Sequence, residues 1–582
     1  MSIIRSIQQR FQQLPITLYP QRVAAFEAVV IGLVAGLSAV ILKAGVGWLG
    51  TWRVHMANQF PAWIVLPAVG LTGGAIAGWL VERFSPESSG SGIPQVKAVL
   101  AKVPLPFNIR MAWVKLLSGI LTLGSGLALG REGPTVQIGA ALAAQFSRWF
   151  PTAPNQRRQL VAAGAGAGLA AAFNAPLAGV FFIVEELLRD FSSATLGTAV
   201  LAAFVGAVVS RLFGAHGLDV NLLDTAPVTD FSAAEIPLYI LLGIIAGGVG
   251  ALFNQSVLTS LSFYRDRLKW PLFWRIGLAG LLSGLIVAFL PVIFRDGSGL
   301  REVLTAGQSN WQLAAIALAA QFCLTIIAYG SGAPGGLFAP VLVMGASLGA
   351  LMGHTAHLLF HVSSPVTYAL AGMGILFSAV IRVPITGIVI IFEMTADFNL
   401  VLPLMIGSIT AYIVGEALSP GSLYDRLLKW RGLDIEEDAP SKWFLAGVTA
   451  GHVMNPSVEV IESSTTLSEA IQTFSKSKHQ GFPVVQLGRV VGMINQRDLS
   501  ELTQRLYATK ELSADCTIGE FIDSIPITAT PDLSLLKVLS LLNQHQLSRL
   551  PVVKDKQLVG IITRSDIIRI EVERLAQKGL LA

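Results

Sequence analysis

The chain has 582 residues, 53% of them hydrophobic and only 13% charged, with a net charge of +5 at pH 7. A soluble globular protein carries about 25% charged residues, so the composition excludes a purely soluble protein and indicates an integral membrane one. The small positive balance gives no case for nucleic acid binding, and two distant cysteines, Cys323 and Cys516, exclude a disulfide framework.

The low charge content is unevenly spread: up to about Leu428 the chain is a series of apolar runs, and from about Asp434 it reads as an ordinary soluble sequence. Residues 1–25 carry Arg5, Arg10 and Arg22 without the apolar core of a cleavable signal. There, Ile4, Ile7 and Phe11 have the spacing of a short amphipathic surface helix. Basic residues ahead of the first span favour a cytoplasmic N-terminus, and a soluble tail without an export signal favours a cytoplasmic C-terminus. Expected spans follow at Phe26–Leu49 and Ile64–Leu80, then a Ser/Gly-rich stretch that becomes a short helix after Pro94, then an apolar run Met111–Leu129 containing Lys115.

That run feeds GSGLALGREGPTVQIGA, residues 124–140. Gly130, Gly133 and Pro134 break the helix and leave Arg131 and Glu132 at the break. Broken backbone at membrane depth is tolerated only inside protein or beside a polar cavity, and an intramembrane acid points to function. Pro134 suits a first helical turn, which sets Glu132 at a helix N-terminus, where N–H groups and the dipole attract negative charge. The plainer readings are an Arg131–Glu132 ion pair or a simple cap. Next come a run too short to span comfortably (Thr135–Phe150), the small-residue run Leu160–Phe173, a helix from Pro176 carrying Glu185 and Glu186, a span at Leu196–Phe213 and a polar loop at Gly217–Glu235.

The pattern then restarts. Apolar runs at Ile236–Phe253, Trp274–Phe294 and Leu313–Ala328 lead to GSGAPGGLFAPVLVMGA, residues 330–346. At an offset of 206, Gly124-Ser125-Gly126, Gly130, Pro134, Gly139 and Ala140 meet Gly330-Ser331-Gly332, Gly336, Pro340, Gly345 and Ala346, while Glu132 falls opposite Phe338. At an offset of 208, Pro176 with Glu185 meets Pro384 with Glu393. Internal repeats with helices interrupted at matching positions point to a transport site at the repeat interface. Converging helix N-termini present N–H dipoles, which suit an inorganic anion, whereas a cation site needs carboxylates and carbonyls. The tail holds a second repeat, 481–499 over 548–567 at an offset of 68, each unit giving two short strands and a helix start, with amphipathic helices expected at Ser468–Lys476 and Ser534–Asn543.

With the motifs GSGIP (90–94), GREGP (130–134) and GLFAP (336–340), and Tyr424 in GSLYDRLL, all in order, the chain resembles the CLC family of chloride channels and proton-coupled chloride exchangers over about residues 25–430. The tail resembles a pair of CBS domains. The resemblance implies an all-α polytopic inverted-repeat membrane fold with broken helices, a cytoplasmic α/β CBS pair, and a homodimer with one pore per subunit. The divisions expected are an N-terminal segment 1–25, membrane repeats 26–232 and 233–432, a linker 433–447 and CBS units 448–512 and 513–575. Carried over by position, Ser91 and Tyr424 offer hydroxyls to the anion, Leu337 and Phe338 offer backbone N–H groups, and Gly92 and Arg131 complete the anion-binding set. Glu132 becomes the gating glutamate and Glu186 the internal proton relay. Having both acids favours exchange of chloride for protons over passive conduction, and serine at position 91 favours chloride. Gln95 departs from the family's usual glutamate.

In the tail, Asp498, Thr563 and Asp566 fall where the nucleotide-type pattern G-x-x-T-x-x-D has its polar members, although Asn495 replaces the first threonine; helix capping is the alternative. No cofactor is required, and ATP, ADP or AMP is a candidate regulator. His55, His354 and His357 form no metal-like cluster, and no nucleophile–base pair or phosphate loop suggests an enzyme. Competing expectations are a passive chloride channel gated by Glu132 and a CBS-regulated cation transporter, the latter opposed by the lack of an intramembrane carboxylate cluster. Compact loops suggest a prokaryotic cell membrane.

Overall fold

A computed structural model describes residues 20–101, 103–150, 154–189, 193–213, 231–305, 309–360, 364–433, 445, 447–477, 479–506, 515–522, 526–545 and 547–577. The amphipathic segment expected before residue 20, most of the 217–235 loop and most of the 433–447 linker lie outside these. Two units are present, Met1–Ile435 and Glu436–Ala582.

The first unit is helical: α1 Pro20–Gln59, α2 Ala62–Phe84, α3 Ile93–Leu100, α4 Ile109–Gly124, α5 Glu132–Trp149, α6 Pro154–Phe173, α7 Pro176–Phe182 running into a π-helical turn Ile183–Leu188, α8 Ser193–Phe213, α9 Ile236–Phe263, α10 Leu272–Phe289, α11 Gly297–Thr305, α12 Trp311–Gly330, α13 Phe338–Phe360, α14 Pro365–Ile381, α15 Pro384–Thr395, α16 Val401–Leu418 and α17 Leu423–Trp430. Among the described residues, eight helical segments are long and apolar enough to cross a membrane. The segment Val23–Gln59 has 37 residues, well beyond the roughly 20 that span a bilayer upright. The apolar run Met111–Leu129 ends its helix early, at Gly124, because Gly126 takes φ +98°, which only glycine adopts without cost. Pro154 starts α6 ahead of the expected run at Leu160.

The repeat read from the sequence is a repeat of contacts. Asn108 caps α4 by accepting from Met111 N at 3.0 Å, and Asn310 caps α12 by accepting from Leu313 N at 2.8 Å. In repeat 1, α5 and α6 approach until a Cβ at Gly139 would lie 2.1 Å from Gly164 O; in repeat 2, α13 and α14 do the same, with Gly345 2.4 Å from Gly372 O. Without a hydrophobic drive between helices in lipid, such close backbone packing supplies much of the association.

The nine-residue spacing from proline to glutamate also has a physical cause. The Glu185 carboxylate accepts from Ile385 N (3.1 Å), Thr386 N (2.8 Å) and the Thr386 hydroxyl (2.7 Å) at the start of α15. Glu393, at the far end of α15, accepts from Leu177 N (2.9 Å) and Ala178 N (2.8 Å) at the start of α7. Each repeat thus caps the helix start of the other, and the free N–H groups behind Pro176 and Pro384 are satisfied by a charge from across the interface.

The second unit is one sheet of order β1-β2-β3-β5-β4, with β1 Ile461–Glu462, β2 Gly481–Gln486, β3 Arg489–Asn495, β4 Arg549–Lys554 and β5 Gln557–Thr563. The hairpins β2–β3 and β4–β5 turn at Leu487-Gly488 and Asp555-Lys556, all with positive φ, the twist that matches two-residue hairpins. Around them lie α18 Ala450–Val453, α19 Leu467–Lys476, α20 Gln496–Gln504, α21 Leu535–Gln544 and α22 Arg564–Gln577. The two cores exchange segments. Ala450 and Val453 pack with Leu535, Val538, Leu550 and Ile562, whereas Ile518 packs with Leu467, Ala470 and Phe482. A linear cut between residues 512 and 513 therefore separates neither core cleanly: hydrophobic contacts follow space, and the chain crosses over.

Candidate anion site and its flanking charges

The break at residues 125–131 brings two helix starts together. Gly130 and Gly336, the same position in the two repeats, form an antiparallel bridge: Gly130 N donates to Gly336 O at 2.8 Å and Gly336 N to Gly130 O at 2.6 Å. From that bridge α5 begins at Glu132 and α13 at Phe338, with Pro134 and Pro340 each in the first turn. Glu132 is 1% exposed, and its Oε1 accepts from Ala339 N at 2.9 Å. A carboxylate of one repeat therefore sits on the N-terminus of the other repeat's helix, the place that favours an anion. Its Oε2 has no hydrogen-bond partner among the described residues.

The backbone around the carboxylate is bare. A Cβ at Gly130 would stand 2.0 Å from Glu132 Oε1, one at Gly336 2.6 Å from the same atom, and one at Gly133 2.9 Å from Ser91 Oγ. Ser91, just before α3, and Tyr424, in the first turn of α17, are buried, and both hydroxyls lack partners among the described residues. Leu337 and Phe338 are fully buried at the start of α13. The Phe338 ring lies 6.2 Å from Tyr424 and 4.6 Å edge-on from Phe377. Glu132, Ser91, Leu337, Phe338 and Tyr424 thus stand at four helix starts, those of α3, α5, α13 and α17, with three polar atoms that lack hydrogen-bond partners among the described residues. Unpaired buried hydroxyls cost about 1–3 kcal/mol each, so an anion accepting from them fits the donor set.

Gly92 has φ +96° as the cap of α3, and a Cβ there would meet Gln137 Oε1 at 2.4 Å, so the space it frees is taken by Gln137. Lys115, wholly buried, donates to Ser88 O at 2.9 Å and to Gly90 O at 2.5 Å, anchoring the loop that carries Ser91. Gln95 holds the same loop through Nε2, to Glu87 O at 3.0 Å and Ser89 O at 2.8 Å. An ionised glutamate in its place has no donor for those carbonyls.

Glu186 lies in the π-helical turn after α7, a distortion common at functional sites. The turn splits the adjacent acids: Glu185 faces α15, and Glu186 faces inward, 1% exposed. Glu186 Oε1 accepts from Lys97 Nζ at 2.7 Å and from Ser422 Oγ at 3.3 Å. Lys97 also bonds Asp425 at 2.5 Å, and Arg189 meets the other oxygen of Asp425 at 2.8 Å. The sequence reading missed Lys97 and Asp425. The signal was available for Lys97, a cation in a short apolar helix, by the rule that singled out Lys115.

On the other side of Glu132 lies a cavity of about 550 Å³ lined by Lys43, Arg53, Arg131, Arg295 and Arg301 with the Glu132 carboxylate. Arg131, expected in the anion set, is the residue before α5 and a wall of this cavity. Several cations around one low-dielectric funnel concentrate anions.

In the tail, the residues placed in a nucleotide pattern cap helices. Asp498 Oδ2 accepts from Asn495 N at 3.0 Å in a capping box at the start of α20. Asp566 Oδ2 accepts from Thr563 N at 3.0 Å and from its hydroxyl at 2.6 Å at the start of α22, and Oδ1 accepts from Arg569 at 3.1 Å.

The family model for voltage gated chloride channels matches residues 73–416, and that for the CBS domain matches 450–504 and 518–573. Among solved structures, a slow cyanobacterial Cl⁻/H⁺ antiporter is similar at 33% identity and TM-score 0.65, covering 70% of this chain and 98% of its own. A eukaryotic CLC transporter shares the fold at 24% identity and TM-score 0.63, covering 93% and 97%. A CLC-type fluoride/proton antiporter matches at 25% identity and TM-score 0.59, covering 70% and 99%.

Proposed function

Because the chain belongs to the voltage gated chloride channel (CLC) family and carries a CBS domain pair, we propose that it exchanges chloride for protons across a membrane. The observation that carries this reading is the Glu132 carboxylate on Ala339 N, in the same interior as the Ser91 and Tyr424 hydroxyls, which lack hydrogen-bond partners among the described residues. A carboxylate holds the place of an anion. Protonated, it loses its charge and its claim on the helix N-terminus, and chloride takes the vacated N–H groups. Chloride binding and protonation then exclude one another's alternatives at one site, which is how the two fluxes are coupled. Glu186 supports a separate route for the proton, since it is a second buried acid reached from the side of Asp425, which is 26% exposed. The Cl⁻/H⁺ antiporter among the similar structures supports exchange as well.

Purified protein in liposomes under a chloride gradient, with a pH probe, tests this. Wild type is expected to move protons against chloride, and Glu132→Gln, which mimics the protonated acid, to keep chloride flux while losing proton movement. Chloride flux without proton movement in the wild type would sink the exchanger and leave the channel reading. One observation favours that second reading: the Lys97 ammonium sits on Glu186 Oε1, where it competes with a proton. The same proposal has two copies of the chain per assembly, both termini in the cytoplasm, and the CBS pair as a receptor for an adenine nucleotide. Calorimetry of the whole protein with ATP, ADP and AMP tests the receptor, and absence of binding heat reduces the pair to a scaffold.

A further inference from the structure

Glu186 and Asp425 belong to different elements and stand in different surroundings. Glu186, in the π-helical turn after α7, is 1% exposed, whereas Asp425, in the first turn of α17, is 26% exposed. Lys97 stands between them, carried by α3, whose residues from Ile93 to Ala98 are all buried. Its Nζ donates to Glu186 Oε1 at 2.7 Å and to Asp425 Oδ1 at 2.5 Å. Among the described residues it is the one side chain bonded to both carboxylates. Ser422 comes closest to a second link, but its hydroxyl donates to Glu186 at 3.3 Å and accepts from the backbone N of Asp425 at 3.2 Å. That path ends on an amide and never reaches the Asp425 carboxylate.

Charge balance alone needs less than this. One carboxylate suffices to pair one buried ammonium, yet Lys97 has two, and the outer one is also held by Arg189 Nη2 at 2.8 Å. The surplus matters when Glu186 takes up a proton. Lys97 then keeps Asp425 as its counter-ion, and no buried charge is stranded without a partner. An ammonium also gives up a proton far more readily than a guanidinium when both are buried. Resting on the exchange reading above, we propose that Lys97 transfers the proton from Asp425, on the solvent side, to Glu186. The Nζ–H bond breaks as an O–H bond forms on Glu186 Oε1, which leaves a neutral amine beside a neutral acid. The amine lone pair then takes the proton that Asp425 Oδ1 has accepted from water, which restores the ammonium and the Asp425 carboxylate. The net change is one proton moved from water to Glu186, with no other reactant consumed. In a low dielectric the neutral amine–acid pair avoids the cost of two buried charges, so the ion pair has little advantage over it.

Proton movement driven by a chloride gradient in liposomes tests the relay. Lys97→Arg keeps the positive charge and donors for both acids but holds its protons at any working pH, since a guanidinium does not deprotonate in proteins. It is expected to slow proton movement about a hundredfold, the lower end of what one positioned proton-transfer group contributes, with a melting temperature in detergent near that of wild type. Asp425→Asn, which still accepts from Lys97 but takes up no proton there, is expected to slow it on the same scale, as is Lys97→Gln. Wild-type proton movement in Lys97→Arg overturns the proposal, because Lys97 is then a counter-charge alone. Faster proton movement in Lys97→Gln overturns it too, because the ammonium is then a competitor of the proton at Glu186. A fall in melting temperature that accompanies the loss in both Lys97→Arg and Asp425→Asn makes the cluster structural and has the same consequence. Absence of proton movement in the wild type counts against the exchange reading itself and is distinct from these outcomes.

Discussion

Tyr424 carries a buried hydroxyl with no hydrogen-bond partner within 3.5 Å among the described residues. In a structural role this is a loss, since removing an unpaired buried hydroxyl relieves a desolvation cost of about 1–3 kcal/mol. In a ligand role it is an asset, since a hydrogen bond to an ion contributes about 1.5–3 kcal/mol. Tyr424→Phe separates the two: the melting temperature in detergent is expected to stay level or rise, while the half-saturating chloride rises about tenfold. A lowered melting temperature with unchanged chloride dependence contradicts a ligand role. Ser91, Glu132 and Tyr424 were legible in the sequence because each stands in a short motif whose glycines and prolines announce a broken helix. The cation at Lys97 was visible as one in a short apolar helix, but its pairing, and Asp425 altogether, were not, because Glu186 lies 89 residues from Lys97 and on a different element from Asp425. Only the packing of α3, the π-helical turn and α17 brings the four charges together.

Among elements, α7 and α15 are joined by reciprocal caps, and the number of bonds orders the outcome of mutation. Glu393 accepts two hydrogen bonds from α7 and Glu185 accepts three from α15 and Thr386. Losing a cap costs about 0.5–2 kcal/mol, with the carboxylate's charge on the dipole adding to it. Glu393→Ala is therefore expected to destabilise the protein by about 1–2 kcal/mol and Glu185→Ala by more, each glutamine variant lying between alanine and wild type. Denaturant unfolding in detergent measures this; variants as stable as wild type would mean that the caps are incidental. The sequence showed that proline and glutamate recur nine apart in both halves, which identified the repeat. It could not show that each glutamate serves the other half, because both halves keep the same spacing whether a cap is local or crossed.

At the scale of the whole molecule, the tail is one unit whose two cores are built from crossed segments, which bears on how it fails. Ala450 precedes the first strand of the tail yet is fully buried against Leu535, Val538, Leu550 and Ile562. Backbone bonds fix the crossing: Ala450 N donates to Leu533 O at 2.7 Å, and Asn455 and Ile561 exchange bonds at 2.9 and 3.0 Å. In the reverse direction Leu467 N donates to Cys516 O at 2.9 Å, and Ile518 N to Thr465 O at 2.9 Å. A buried, unpaired charge costs several kcal/mol, and local opening follows the element that loses its packing. Ala450→Asp is thus expected to strip amide protection from β4 and β5, about a hundred residues later, before β2 and β3, the strands that follow it in the chain. Hydrogen exchange with mass spectrometry on the full-length protein reads the order directly. Earlier loss in Gly481–Asn495 would mean that the cores are linear after all. The Arg489–Gln557 pairing of β3 with β5 and the bond from Arg549 to Gly481 O at 2.8 Å join the two cores in one sheet, so loss of the second is expected to weaken the first only afterwards.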